Sequence, residues 1–404
     1  MATFAFEAVD ATGRTIRSRL EAESQDQAVA RLREMHYRVY RVREVRGLGP
    51  LAWVLQRLRR VRLREMALFT RQFAVMINAG LSVVRCLDIL GTQSANAYFA
   101  GILEQVKNDV RAGHSLADAL QRQQPVFSEL YVNMVRAAET AGILDSVLER
   151  LAQYLEKEME VIGKVKSAMT YPILVLCFAL GAVFIIVFYI MPKFREVFSE
   201  MEITLPIYTK IMIYSAEWLK TYFWVPFAIV FGVWAALRAY GRNEKGRYNI
   251  DLFKLRIPAV GPLLHKLALS RFSRTLGTLR AAGIPIMRAL EIVADTAGNR
   301  VVSSAVLEAR DRVREGQPLS EPLARQPRIF PVMVTQMIAV GEQTGREDVM
   351  LQKISDFYDE EVDTAIKSLT SIIEPLMIVG LGCLVGFIAV SVITPIYDIA
   401  GSIK

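Results

Sequence analysis

Histidine and cysteine are scarce in this 404-residue chain, three of each. His36, His114 and His265 lie far apart, and Cys86, Cys177 and Cys383 show neither pairing nor metal-ligand spacing. Zinc sites need clustered Cys or His, and a disulfide framework needs partnered cysteines, so neither is expected. The Gly-x4-Gly-Lys-Ser/Thr loop that cradles phosphates is missing, as are His-Glu-x-x-His and Gly-x-Ser-x-Gly. The sequence therefore predicts no enzyme: no catalytic residue, no bound cofactor and no metal ligand. No nucleic-acid partner is expected either. Charge is missing in a more telling way. Ser167–Pro192, Thr221–Leu237 and Pro375–Tyr397 contain no Asp, Glu, Lys, Arg or His. Carriers and pumps keep ionisable groups at bilayer depth, so these stretches argue against a proton-coupled carrier or ion channel, although an oligomeric pore stays open.

Apolar residues make up 52% of the chain, high for a protein in water. The first and third uncharged stretches exceed the ~20 residues that cross a bilayer as a helix. The second has 17 residues but is aromatic at its ends, as interfacial belts are; a buried core helix is the alternative for all three. No basic and apolar leader opens the chain, so the N-terminus is expected in the cytoplasm. Residues 1–64 hold 14 Arg against 7 Asp or Glu. Basic residues mark the cytoplasmic flank of a span, and Arg238, Arg242, Lys245, Arg247, Lys254 and Arg256 follow the second one against Glu244 and Asp251 alone. The segment 193–220 is balanced. The expected topology is N-terminus in, 193–220 out, 238–373 in, and a short C-terminus out.

An internal repeat organises the chain. "FTRQFAVMINAGLSVVRCLDIL" (69–90) matches "FSRTLGTLRAAGIPIMRALEIV" (272–293) at an offset of 203 positions. The offset persists through Arg71/Arg274, Gly80/Gly283, Asn96/Asn299, Gly113/Gly316, Phe127/Phe330, Glu139/Glu342, Gly142/Gly345, Pro172/Pro375 and Pro192/Pro395. Each copy is a polar segment followed by a span. Two copies of one orientation need an odd number of crossings between them, and 221–237 is the candidate.

Within each copy the polar part reads as short amphipathic helices. Gly80 and Gly283 sit where a left-handed helix terminus is wanted. Ser115 with Asp118 marks a helix start, with Ser320 a weaker analogue. The last helix of each copy begins near Asp145 or Asp348 and runs toward the span. Pro172 and Pro375 lie near the starts of their spans, where a missing amide is tolerated, and Pro192 and Pro395 can end them. Gly382-x3-Gly386 is a weak helix-packing signal. At the N-terminus, "TFAFEAV" and "RTIRSRLEA" alternate with period two around "DATG". A Ser24/Gln27 capping box and "RVYRVREV" complete a small ββαβ module. Arg57, Arg59, Arg60, Arg62 and Arg64 follow, either as a solvated helix face or as a contact for anionic lipid or an acidic partner.

The fold expected is a mainly all-α integral membrane protein with two repeated cytoplasmic helical bundles, three transmembrane helices and the small N-terminal module. The expected divisions are the module at 1–46, a basic segment at 47–64, bundle 1 at 65–166 and the first span at 167–192. A periplasmic loop (193–220), the second span (221–237) and a basic linker (238–268) follow. Bundle 2 (269–372), the third span (373–397) and a tail (398–404) complete the chain. The glutamate of "AAETAG", and its counterpart in the second copy, reads as a corner fixed by hydrogen bonding, or as a partner contact.

The opening hairpin F-x-F-x-A-x-D-x-x-G, "VRAGHSLADAL", "AAETAGILD", "LRIPAVGPLLHK", "GEQTG" and "EPLMIV" together give the chain a resemblance that covers nearly its whole length. It resembles the inner-membrane platform proteins of type IV pilus and type II secretion machines, the type II secretion system protein F family, and looks closer to the pilus branch. The resemblance implies a non-enzymatic, multi-pass protein of the bacterial inner membrane. Its implied partners are a cytoplasmic assembly or retraction ATPase, pilin subunits, other inner-membrane assembly proteins and further copies of itself. The family-motif positions it marks are Arg71, Gly80, Gly113, Glu139, Gly142 and Pro172, with Arg274, Gly283, Gly316, Glu342, Gly345 and Pro375. A membrane carrier, and a membrane scaffold outside any pilus machine, are the readings from other classes.

Overall fold

The computed structural model describes residues 2–9, 15–22, 27, 29, 38–45, 61–190, 192–193, 207–222 and 224–402. The chain forms two units, Met1–Arg62 with Ser94–Gly101, and Leu63–Gln93 with Ile102–Lys404. In the first unit, β1 (Ala2–Val9), β2 (Thr15–Ala22) and β3 (Arg38–Val45) form an antiparallel sheet in the order β2-β1-β3. The period-two pattern sets the register, with Phe4 opposite Leu20 and Phe6 opposite both Ser18 and Val42. The helix expected before β3 falls on 23–37, of which only Gln27 and Val29 are described, so the helix of the expected ββαβ module lies outside the described residues. Arg57, Arg59 and Arg60 lie outside them too.

Among the described residues, the elements of the second unit are helices. The first copy of the repeat gives α1 (Leu63–Asn78), α2 (Val83–Gln93), α3 (Ala97–Arg111, which begins in the first unit), α4 (Leu116–Gln121), α5 (Glu129–Ala141) and α6 (Leu144–Ile185). A π-helical turn, Ile186–Ile190, continues α6. Between the copies lie α7 (Ile207–Thr221), α8 (Trp224–Tyr240) and α9 (Glu244–Arg256); much of the segment read as a loop is thus helical. The second copy gives α10 (Val260–Ala281), α11 (Ile286–Thr296), α12 (Arg300–Arg314), α13 (Ser320–Ala324), α14 (Val332–Thr344) and α15 (Glu347–Ser402).

Each bundle buries the apolar stripe of its short helices against the first turns of a long one. Phe73, Leu87, Leu103, Phe127, Met134 and Leu148 fill the first core, and Phe272, Leu276, Leu290, Phe330 and Val362 the second. Equivalent rings meet in both, Phe69 with Phe127 at 6.1 Å between centroids and Phe272 with Phe330 at 5.0 Å. The helix starts follow their sequence signals. Ser115 accepts from Asp118 N at 3.1 Å and Ser128 from Tyr131 N at 3.3 Å. The paired asparagines cap α3 and α12, with Asn96 accepting from Tyr98 N and Asn299 from Val301 N.

Among the described residues, two helices, Leu144–Ile190 and Glu347–Ser391, are long and apolar enough to cross a membrane, and a third candidate is the pair α8 and α9, bent by 119°. Here the structure corrects the reading of the prolines. Pro172 and Pro375 lie inside α6 and α15, not at the start of separate span helices, and α15 continues through Pro395 to Ser402. An interior proline removes one backbone hydrogen bond, which membrane helices tolerate when neighbouring groups compensate. Bundle and span are one continuous helix in each copy.

Candidate functional site

The described residues carry no group of three or more His, Cys, Asp or Glu side chains placed to hold a metal. Cys86 is buried, which pushes its thiol pKa up. His265 contacts the carbonyl of Ile329 at 2.7 Å and His114 lies 3.5 Å from Arg122. What the chain presents instead is a set of polar fastenings, each made twice, that join the helices of each bundle.

The first fastening is an ion pair. In α1, Arg71 donates from Nε to Glu156 Oε1 at 2.7 Å and from Nη2 to Glu156 Oε2 at 2.6 Å, and also bonds Glu149, all on α6. A fork-to-fork geometry of this kind is among the stronger charge-assisted arrangements. It raises the Arg71 pKa still further and holds Glu156 below the usual carboxylate range. In the second copy Arg274 of α10 bonds Asp359 of α15 and Ser270; Asp359 is the counterpart of Glu156 at the same offset. A second ion pair also recurs. Lys107 meets Asp88 at 3.0 Å between α3 and α2, and Arg310 meets Glu291 at 3.5 Å between α12 and α11.

The third fastening involves the glutamates of the repeated phrase. Glu139 accepts from the backbone N–H groups of Leu116 (2.6 Å) and Ala117 (2.9 Å). Glu342 accepts from Leu319 N, from Ser320 N at 3.2 Å and from Ser320 Oγ at 2.5 Å. Each carboxylate thus satisfies the unpaired amides at the start of a short helix, α4 or α13, where the helix dipole also favours a negative charge. The hydrogen bonds reach back across the bundle rather than into the corner itself. Ser320 differs from the weaker cap expected of it, since its hydroxyl donates to Glu342. The corner is made by glycine: Gly142 (φ 72°) and Gly345 (φ 67°) end α5 and α14 in the left-handed region. Ile143 N then bonds Ala138 O at 3.0 Å and Arg346 N bonds Gly341 O at 2.9 Å, a helix stop that suits residues without a Cβ. Gly80, Gly113, Gly283 and Gly316 share the positive φ.

The two copies also meet. Tyr154 and Thr275 hydroxyls lie 3.3 Å apart, Arg271 reaches Glu158 at 3.6 Å, and Lys164 of α6 donates to Asp363 of α15 at 2.5 Å. Beside that last pair, Leu263, Val362 and Ile366 form an apolar cluster against Val161 and Val165. Between α6, α10 and α15 opens a cleft of about 610 Å³, lined by Arg150, Glu156, Lys157, Arg274, Lys353 and Asp359 among others. Its charges are of both signs, and within the lining Lys157 pairs with Glu160 and Arg274 with Asp359.

The sequence singled out Arg71, Arg274, Glu139, Glu342 and the glycines but not the groups they bind. Glu156, Asp359, Asp88, Glu291, Lys107 and Arg310 carried a usable signal, because charge sign is retained between copies at the 203-residue offset. Arg62 and Arg64 are the described members of the basic segment.

Comparison with known proteins gives the same two-copy layout. The profile of type II secretion system protein F matches residues 69–192 and 272–395, and that of the protein's N-terminal domain matches 1–43. The chain is 40% identical over 405 residues to the type IV pilus assembly protein PilC of Thermus thermophilus, covering all of both chains. It is 41% identical to PilC of Myxococcus xanthus, covering all of this chain and 96% of that one. It is 33% identical over 408 residues to type II secretion system protein F of Xanthomonas campestris pv. campestris, again along the whole of both. On these matches, and on the doubled bundle with its long helix, the chain belongs to the type II secretion system protein F family.

Proposed function

We propose that the protein is the inner-membrane platform of a type IV pilus assembly machine. The observation that carries this reading is the full-length identity of 40 and 41% to two type IV pilus assembly proteins, above the 33% to a secretion protein F. The geometry supports it physically. Each bundle is continuous with an apolar helix, so a force applied to the bundle is delivered into the membrane without a flexible joint. In this reading the N-terminus and both bundles are cytoplasmic, α8 is the return span that makes three, and the role is non-enzymatic. A cytoplasmic ATPase works against the bundles while pilin subunits meet the spans. The family-motif residues act structurally, as fastenings within each bundle.

Deletion of the gene tests the proposal. Cells without the chain are expected to lack pili while the purified assembly ATPase still hydrolyses ATP; normal piliation would sink the reading. The second reading, a secretion-system platform, is favoured only by the protein F relatives, and a deletion strain that keeps its pili but stops secreting would select it. A reporter fused at residue 205 is expected on the periplasmic side, and a cytoplasmic signal there would overturn the three-span topology.

A further inference from the structure

The bend between α8 and α9 is a built feature. A Cβ at Gly246 would stand 2.0 Å from the carbonyl oxygen of Tyr240, so the start of α9 is pressed on the end of α8, and the two meet at 119°. One edge of α9 is fastened to bundle 2. Asp251, 6% exposed, accepts from Arg300 N at 3.0 Å and from Lys254 Nζ at 2.8 Å. Glu244 pairs with the Arg300 guanidinium at 2.7 Å. Both acids of the helix are used in that docking.

The opposite side is left basic and apolar. At 100° per residue, Lys245, Asn249, Phe253 and Arg256 share one stripe facing away from Asp251, with Arg242 just before the helix, and all five are exposed. Phe253 is 68% exposed. Among the described residues, the side chains of Arg242, Lys245 and Arg256 have no hydrogen-bond or ion-pair partner. At the end of α8, Arg238 lies over the ring of Trp234 at 5.4 Å, an aromatic and basic pairing typical of a membrane boundary. A helix set steeply across the end of a span, with unpaired cationic side chains and an exposed aromatic on its free face, has the chemistry that suits a headgroup layer.

We propose that the α9 stripe binds the phosphate headgroups of anionic phospholipid and so fixes bundle 2 against the membrane plane. This rests on the reading of α8 as a span. The test uses the full-length protein in nanodiscs of phosphatidylglycerol or phosphatidylcholine, followed by hydrogen exchange across 242–256. Exchange is expected to slow about tenfold in phosphatidylglycerol, to recover in high salt, and to lose its lipid dependence in Arg242→Gln/Lys245→Gln/Arg256→Gln. Arg242→Lys/Lys245→Arg/Arg256→Lys should keep the slowing, and unchanged exchange of α10 and α12 in both variants shows that bundle 2 stays folded. Equal exchange in the two lipids overturns the proposal, as does slowing that survives the neutral variant. Slowing in phosphatidylcholine discs on addition of the purified assembly ATPase, with none from phosphatidylglycerol, overturns it in favour of a protein partner. A polarity-sensitive dye on Val230→Cys separates the two readings. Apolar emission without a lipid effect removes the headgroup site alone, whereas aqueous emission removes the span and the site together.

Discussion

The two bundles share a chain path but not a packing distance. Where bundle 1 has Ala74 and Ala138, both almost fully buried, bundle 2 has Gly277 and Gly341. A Cβ on Gly277 would lie 3.1 Å from Leu351 Cβ, and one on Gly341 would lie 3.0 Å from Glu347 Cα. Bundle 2 therefore draws its short helices onto α15 more closely than bundle 1, which must leave room for two methyl groups against α6. The ion pairs differ in the same sense. The Arg274 side chain is 7% exposed and the Arg71 side chain 31%. One topology has been built in a tighter and a looser grade, which teaches that the repeat conserves which groups are joined rather than how far apart they stand.

The largest expected contrast lies in the buried ion pair. Asp359→Ala leaves Arg274 unpaired in the interior and is expected to cost bundle 2 about 3 kcal/mol. Glu156→Ala leaves Arg71 half-solvated with Glu149 still beside it, at about 1 kcal/mol. Hydrogen exchange of the full-length protein in detergent, read separately on α10 and α1, measures both; equal losses would break the contrast. Next comes Gly341→Ala, expected to loosen bundle 2 by about 2 kcal/mol through overpacking. The reciprocal Ala138→Gly should cost bundle 1 only about 0.5–1 kcal/mol of helix stability. Denaturant unfolding of both variants checks the asymmetry, and a milder effect at residue 341 than at 138 would count against it.

The glutamate fastenings sharpen the comparison from the other side, because here the bundles should agree. Glu139→Gln and Glu342→Gln each weaken charge-assisted bonds to helix-start amides, at about 1 kcal/mol apiece. If both variants fold as stably as the parent yet cells lose pili, these residues contact a partner instead. The smallest effect is in pH. Arg71 lowers the pKa of Glu156 by hydrogen bonding, so the folded form holds fewer protons than the unfolded one. Its stabilisation is complete above the ordinary glutamate value near ~4.3 and is lost as pH falls through the lowered folded value. An acid titration followed by exchange on α1 should show bundle 1 loosening in that window, and Glu156→Gln should flatten the response.

Much of this was legible in the chain. The offset of 203 positions located both bundles, Ser115 announced its helix, and Gly142 and Gly345 marked the corners. What stayed hidden depended on contacts between distant segments. Glu139 stands 22 and 23 residues from the amides it binds, a pairing that no local pattern encodes. The prolines misled for a related reason. Proline punctuates a helix in water, where a lost hydrogen bond is replaced by solvent, but Pro172 and Pro375 sit in helices long enough to continue past the gap. The bend after α8 was equally invisible, since it depends on Gly246 meeting a backbone oxygen six residues back.

The junction of α6 and α15 carries a mechanical consequence. Lys164, with Asp363 and the apolar cluster beside it, stands about 30 Å along α6 from Leu144 and about 39 Å from Ile190 at 1.5 Å per residue. The same junction lies nearer the start of α15, with 16 residues between Glu347 and Asp363 and 39 between Asp363 and Ser402, so the two helices are levers with unequal arms. Tilting either helix about the junction by a rigid-body rotation displaces its two ends in opposite senses, by comparable amounts in α6 and by roughly twice as much at the far end of α15, at 1.5 Å per residue. A given tilt at the junction therefore moves the far end of α15 further than the far end of α6.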